Sequence, residues 1–197
     1  MSVVRAFIAI ELSPEIYKRL DQLINQLKEC LPGMPIRWVP AQNIHLTVKF
    51  LGDVSVANLE MLENILLSEA NCRPPFDVSI GELGAYPSLR RPRVIWVGVK
   101  APPELSGFQH RVETETARLG YTPESRTFSP HLTLGRVSRN ASSEDVKEIG
   151  LVIRDSKVGF LGATRIKSVY LFRSDLKPGG AVYSKLYSAS FLTPNKK

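Results

Sequence analysis

Apolar and polar positions along the first half of the chain follow two periodicities, one typical of strands and one typical of helices. Residues 3–10 form a short apolar run that predicts a buried strand, and residues 14–30 carry apolar side chains at helical spacing behind a Ser-Pro pair that favours a helix start. A second strand over residues 44–51, closed by Gly52-Asp53, precedes a helix that opens at Ser55. This half therefore predicts the order strand, helix, strand, helix.

The second half adds more strands than helices. The pattern predicts strands over residues 76–83, 93–99, 131–137, 165–173 and 182–191 and helices over residues 104–119 and 142–151. Short turns join several of these strands, so an α+β fold with antiparallel sheets is favoured over a doubly wound parallel sheet. We predict one domain over residues 1–192 and a flexible polar tail over residues 193–197.

Composition narrows the function only slightly. The 197 residues are 43% hydrophobic and 23% charged, as in an ordinary globular protein, and the formal net charge is +7. Clustered Lys and Arg side chains attract phosphates, so nucleic acid is the leading candidate partner. Positive side chains that only face solvent would give the same net charge. The apolar run over residues 7–10 is much shorter than the roughly 20 residues that span a membrane, and Cys30 and Cys72 form no metal-binding or disulfide pattern. We expect a cytoplasmic monomer without a membrane segment.

One short pattern occurs once in each half of the chain. It reads His45-Leu46-Thr47-Val48 in the first half and His131-Leu132-Thr133-Leu134 in the second, in a chain that has only three histidines. Both copies lie in predicted strands, where alternate side chains share a face, so each His and its Thr project together about 6.5 Å apart. If the two strands meet across a cleft, that cleft contains two imidazoles and two hydroxyls.

Such a set of side chains suits the cleavage of a cyclic phosphodiester. A neutral imidazole takes a proton from the attacking water and a protonated one donates to the departing ribose oxygen, and both states are accessible at the ordinary histidine pKa of about 6.5. The threonine hydroxyls donate to the non-bridging phosphate oxygens. A metal site is the competing interpretation, but the chain has no Cys/His cluster or HExxH pattern, and His110 lies alone in a predicted helix and is expected at the surface.

At these motifs the chain resembles the 2H phosphoesterase superfamily, and within it the RNA 2′,3′-cyclic phosphodiesterase family, also called the 2′-5′ RNA ligase family. The segments that carry the resemblance are residues 5–10 (RAFIAI), 43–52 (NIHLTVKFLG), 93–99 (RVIWVGV) and 128–136 (FSPHLTLGR). The resemblance covers most of the chain. It implies a bilobal fold, in which two pseudo-symmetric lobes place antiparallel sheets along a central cleft and helices outside.

The resemblance also implies roles for the motif residues. His45 is expected to donate a proton to the leaving O3′, and His131 is expected to act as the base on water. Thr47 and Thr133 are expected to hold the phosphate. The implied reaction converts an RNA 2′,3′-cyclic phosphate end into a 2′-phosphate without metal or cofactor, and tRNA fragments are among the candidate substrates.

Five further residues are candidates for base stacking or phosphate contact, namely Phe7, Lys49, Tyr86, Arg126 and Arg136. In a regular strand Lys49 would lie on the same face as His45. Arg136 would lie on the face opposite to His131 and reaches the cleft only if Gly135 introduces a bulge. Tyr86 stands where the family is expected to have Phe. Three alternative functions stay open for the same residues: joining of 2′-5′ ends, cleavage of 2′-5′ linkages or small cyclic nucleotides, and RNA-end binding without catalysis.

Overall fold

The computed structural model describes residues 2–178 and 180–192, which form nine strands and four α-helices. The strands are β1 (Val3–Ile10), β2 (Ile36–Trp38), β3 (Leu46–Ser55), β4 (Phe76–Tyr86), β5 (Val94–Lys100), β6 (His131–Val137), β7 (Phe160–Ile166), β8 (Ser168–Lys177) and β9 (Gly180–Ser190). The helices are α1 (Pro14–Cys30), α2 (Leu59–Asn71), α3 (Pro103–Arg118) and α4 (Ser143–Asp155). The predicted tail, residues 193–197, lies outside the described residues.

The strands form two antiparallel sheets. The first sheet has the strand order β3-β1-β8-β9, and the second has the order β2-β6-β5-β4-β7. Each sheet combines strands from both halves of the chain. The first copy of the repeated motif begins one residue before β3 in the first sheet, and the second copy begins with β6 in the second sheet. The predicted α+β fold with antiparallel sheets is therefore confirmed.

The helices divide between the two sheets. Helix α2 contacts β8 and β9 and packs on α3, which also contacts β3, whereas α1 contacts β7 and α4 contacts β4. One hydrophobic cluster includes buried residues from both sheets and all four helices, so the two lobes share a core. Within the described part of the chain, no helix is both long enough and apolar enough to cross a membrane.

Strand β1 explains why its sequence is an unbroken apolar run. Ala6, Ile8 and Ile10 belong to the main core, while Phe7 and Ala9 lie on the opposite face in a small separate cluster with Phe172. A strand that is buried on both faces reads as continuous apolar sequence instead of an alternation. The face that carries Phe7 and Ala9 is the one that borders the candidate site, and we call it the cleft face.

The structure corrects several of the predicted elements. Strand β3 does not end at Gly52 but continues to Ser55, because Gly52 adopts a φ of 72° and remains paired with Ala6. The predicted strand over residues 165–173 is two strands that separate at Lys167, one in each sheet. The three-residue strand β2 was not predicted at all.

Candidate active site

His45 lies between a short 3-10 turn, Ala41–Asn43, and the start of β3. Its Nδ1 atom is 2.9 Å from the carbonyl oxygen of Asn43. The ring of Phe7 stacks on the imidazole at a centroid distance of 4.7 Å, and the ring of Tyr183 meets it edge-on at 5.2 Å. One backbone hydrogen bond and aromatic contacts from β1 and β9 therefore hold this imidazole.

His131 is the first residue of β6. Its Nδ1 atom is 2.8 Å from the carbonyl oxygen of Ser129, and the ring of Tyr86 meets the imidazole edge-on at 5.0 Å. The Tyr86 hydroxyl is in turn 2.9 Å from Oγ of Ser129. The second imidazole is thus held as the first one is, by the carbonyl group two residues earlier and by a neighbouring aromatic ring.

The two histidines share a tautomer. A backbone carbonyl oxygen only accepts hydrogen bonds, so Nδ1 carries a hydrogen in both rings and donates it to that oxygen. In each neutral ring the lone pair is on Nε2, which is the atom that can accept a proton or, when protonated, donate one. The repetition seen in the sequence therefore extends to the hydrogen bonding of both imidazoles.

Strand β3 contains a bulge at the fourth motif residue. Thr47 pairs with Ala9 and Lys49 pairs with Ile8, which leaves Val48 without a partner. Paired residues on neighbouring strands point to the same side of a sheet. Thr47 therefore shares the cleft face with Ala9, whereas Lys49 shares the core face with Ile8.

The structure places Lys49 away from the cleft. Its side chain is buried, and Nζ is 2.5 Å from a carboxylate oxygen of Glu113 on α3 and 3.1 Å from the carbonyl oxygen of Thr122. The predicted cleft position of Lys49 was wrong, because β3 is not a regular strand and its bulge at Val48 turns Lys49 to the opposite face.

Strand β6 contains the matching bulge. Thr133 pairs with Trp96 and Arg136 pairs with Val94, and the register shift between them leaves Leu134 without a partner. Arg136 consequently lies on the same face as Thr133. The bulge that Arg136 needs to share a face with His131 and Thr133 is present, at Leu134 and not at Gly135.

The environment of His45 disfavours its charged form. Burial lowers the pKa of His45 below the ordinary 6.5 and the positive charge of Arg136 lowers it further, while the hydrogen bond to Asn43 and the carboxylate of Glu11 raise it. Arg136 belongs to β6 and His45 precedes β3, and β3 also contacts β6. The structure therefore brings the two motif strands together.

A pocket of about 130 Å³ opens beside His45. Its lining includes Phe172 and Tyr183 together with Glu11 and Lys185, whose charged groups are 2.7 Å apart. Within residues 2–178 and 180–192, no group of three or more His, Cys, Asp and Glu side chains is placed to hold a metal ion.

Comparison with known proteins identifies the family. The family model described as LigT-like phosphoesterase matches the chain twice, over residues 10–96 and 97–183. An RNA 2′,3′-cyclic phosphodiesterase of Methanothermobacter thermautotrophicus is 32% identical over 183 residues, which cover 93% of this chain and 96% of the relative. This chain belongs to the LigT-like phosphoesterase family.

Solved structures agree with this assignment. A protein of Thermus thermophilus superposes with a TM-score of 0.81 over 97% of this chain and all of its own, and at 23% identity it supports the fold alone. Escherichia coli LigT complexed with 3′-AMP superposes with a TM-score of 0.75 at 26% identity, over 98% of this chain and 99% of that chain. The predicted bilobal fold is confirmed.

The other predicted site residues of this phosphoesterase differ in their placement. Phe7 and Tyr86 each contact a motif histidine. Arg126 lies in the exposed loop before β6, where its Nε is 3.5 Å from the carboxylate of Glu124, and none of its described contacts reaches the cleft. The lone His110 is exposed on α3, as its isolation in the sequence predicted.

Sequence reasoning missed three aromatic residues around the two imidazoles. Phe172 and Tyr183 lie near His45, and Trp96 lies near His131 at a centroid distance of 6.3 Å. The position of Trp96 could have been predicted from the sequence, because it lies between apolar residues of its strand that face the core and so projects from the opposite face. Phe172 and Tyr183 come from the last two strands, and no local pattern links them to the motif.

Proposed function

We propose that this phosphoesterase hydrolyses RNA 2′,3′-cyclic phosphate ends to 2′-phosphates by metal-independent acid and base catalysis, within one domain over residues 1–192. The observation that carries the proposal is the matched pair of imidazoles, each fixed through Nδ1 and each followed two residues later by a Thr. The relative from Methanothermobacter thermautotrophicus is named for this reaction, and Escherichia coli LigT binds 3′-AMP, a ribonucleoside phosphate.

The proposed reaction is a single in-line displacement at phosphorus. Nε2 of neutral His131 accepts a proton from water as the water oxygen bonds to phosphorus. The bond from phosphorus to O3′ breaks on the opposite side, and Nε2 of protonated His45 donates its proton to O3′. The product has a 2′-phosphate and a free 3′-hydroxyl, and solvent then restores the two protonation states.

The two threonines supply hydrogen bonds to the phosphate. Thr47 lies on the cleft face and Thr133 lies on the same face of β6 as His131, each two residues beyond an imidazole, so each hydroxyl can donate to a non-bridging oxygen. Negative charge on these oxygens increases as water attacks, and donors already in position stabilise it without reorganisation. We expect Thr47→Val and Thr133→Val each to lower kcat by about 10²-fold.

The function is tested with an RNA oligonucleotide that ends in a 2′,3′-cyclic phosphate, assayed in the presence of EDTA. We expect His45→Asn and His131→Asn each to lower the rate by about 10² to 10⁴-fold, as loss of a positioned acid or base does. His110→Asn is the matched control, since it removes an exposed imidazole on α3, and its rate should stay within about twofold of the native rate.

Three outcomes of this assay would each contradict part of the proposal. Activity that EDTA abolishes and a divalent metal restores contradicts the metal-independent mechanism. If the protein binds the RNA oligonucleotide but forms no product, and if this binding is unchanged in His45→Asn and His131→Asn, the protein binds RNA ends without catalysis. Chromatography of the product against 2′-phosphate and 3′-phosphate standards decides the roles, because a 3′-phosphate product exchanges those of His45 and His131.

A further inference from the structure

Two arginines lie side by side at the edge of the second sheet. Arg37 of β2 pairs directly with Arg136 of β6, and both side chains are exposed. Like charges placed opposite each other on neighbouring strands destabilise a sheet. Within residues 2–178 and 180–192, neither guanidinium has a carboxylate within ion-pair distance. The fold thus concentrates positive charge at this edge without a compensating anion from the described protein.

The arginine pair adjoins the candidate active site. Arg136 follows Thr133 by three positions on the same strand, about 10 Å at most, and the bulge at Leu134 keeps both side chains on one face. Arg37 and Arg136 also line an open groove of about 580 Å³, together with the apolar side chains of Met34 and Ile36. Thr133, Arg136 and Arg37 therefore lie on one face of the second sheet, with Arg136 and Arg37 on neighbouring strands.

We propose that Arg37 and Arg136 form a second phosphate site, which binds the phosphodiester on the 5′ side of the terminal nucleotide. This inference rests on the proposed function. An RNA chain whose 3′ end is a cyclic phosphate has all its other phosphates on the 5′ side, so the next anion along the substrate is this phosphodiester. Guanidinium groups bind phosphate oxygens through paired, charge-assisted hydrogen bonds. The enzyme is then specific for ends of RNA chains and disfavours cyclic mononucleotides.

The test compares three substrates that share the reacting group. They are a nucleoside 2′,3′-cyclic phosphate, a dinucleotide that ends in a 2′,3′-cyclic phosphate, and the same dinucleotide with a neutral methylphosphonate linkage. For the native protein we expect kcat/KM to be highest for the charged dinucleotide. Arg37→Gln should lower that value by about 10 to 100-fold, which corresponds to the loss of charge-assisted hydrogen bonds to one phosphate.

The other two substrates show whether the loss of kcat/KM in Arg37→Gln depends on the second phosphate charge. Arg37→Gln should lower kcat/KM by no more than about twofold for the mononucleotide and for the methylphosphonate dinucleotide, because neither offers the second charge. Arg118→Gln is the matched control, since it removes one exposed arginine on α3 and changes the net charge equally. An equal loss on all three substrates, or a methylphosphonate as good as the phosphodiester, overturns the proposal.

A binding measurement separates this inference from the proposed function. The Kd of the dinucleotide 2′-phosphate is compared with that of its methylphosphonate analogue by calorimetry, which requires no turnover. Tighter binding of the ligand with the charged linkage, lost in Arg37→Gln, supports the second phosphate site even if the protein hydrolyses no cyclic phosphate. Equal affinity for the two linkages overturns the second site even if hydrolysis is observed.

Discussion

The buried ion pair between Lys49 and Glu113 links the first motif strand to the segment that enters the second motif. Oε2 of Glu113 accepts from both Nζ of Lys49 and the backbone nitrogen of Glu124, and Nζ of Lys49 also donates to the carbonyl oxygen of Thr122. The chain runs from there to His131. We therefore expect Lys49→Met to destabilise the protein and to lower kcat more than it raises KM.

The magnitude follows from the burial of the two groups. The side chains of Lys49 and Glu113 are 2% and 14% exposed, so removal of the cation leaves a carboxylate that is mostly shielded from water. Removal of one partner of such a pair costs about 3–5 kcal/mol. Because Glu113 keeps other donors and some solvent contact, we expect the lower end, about 3 kcal/mol. For a chain of this size that corresponds to a fall in Tm of about 6–12 °C.

Thermal unfolding followed by calorimetry measures this effect. Lys28→Met removes an exposed lysine from α1 and serves as the control, with an expected change within about 0.5 kcal/mol. The double variant Lys49→Met/Glu113→Leu should recover part of the lost stability, because it removes the unpaired carboxylate as well. An unchanged Tm together with a large rise in KM for the cyclic phosphate would refute the reasoning and return Lys49 to the phosphate site.

Two further predictions concern the surroundings of the imidazoles. In an NMR titration His45 should show a pKa below 6.5. Both inorganic phosphate and the Arg136→Gln substitution should raise that pKa, since an added anion or a removed cation favours the imidazolium. A lower pKa in either case would contradict the assigned contacts. Gly84→Ala should lower both Tm and the hydrolysis rate, because a Cβ at this position would lie 2.3 Å from the ring of Trp96. Calorimetry and the hydrolysis assay check this, and native values in both would contradict it.

Local periodicity predicted the elements that depend on local spacing. The bounds of β1 and α1 agree with the prediction, because the apolar run and the helical spacing each end at a clear polar boundary. The boundary at Lys167 could not be predicted in this way. Apolar positions continue across it, and only the pairing of Ile166 with Phe76 and of Ser168 with Ser190 assigns the two strands to different sheets.

The candidate site, like the fold, could be predicted only where it depends on local sequence. The repeated His and Thr positions are visible in the sequence, and the structure gives both histidines the same hydrogen bond. The faces of Lys49 and Arg136 depend on bulges, which arise from pairing with neighbouring strands and leave no mark in the sequence of β3 or β6 alone. The two bulges occupy equivalent positions, Val48 and Leu134, so the structural repeat extends to the fourth residue of each motif.

The repeated motif makes the two imidazoles alike, so any difference in their chemistry comes from what surrounds them. Under the proposed roles His45 donates a proton, although burial and Arg136 disfavour its imidazolium in the free protein. A bound phosphate anion reverses this, because it favours the imidazolium directly and offsets the charge of Arg136. The pH dependence of kcat/KM reports the free protein and that of kcat reports the complex. The optimum of kcat should therefore lie at higher pH than the optimum of kcat/KM. Coincident optima would show that bound substrate does not raise the pKa of His45.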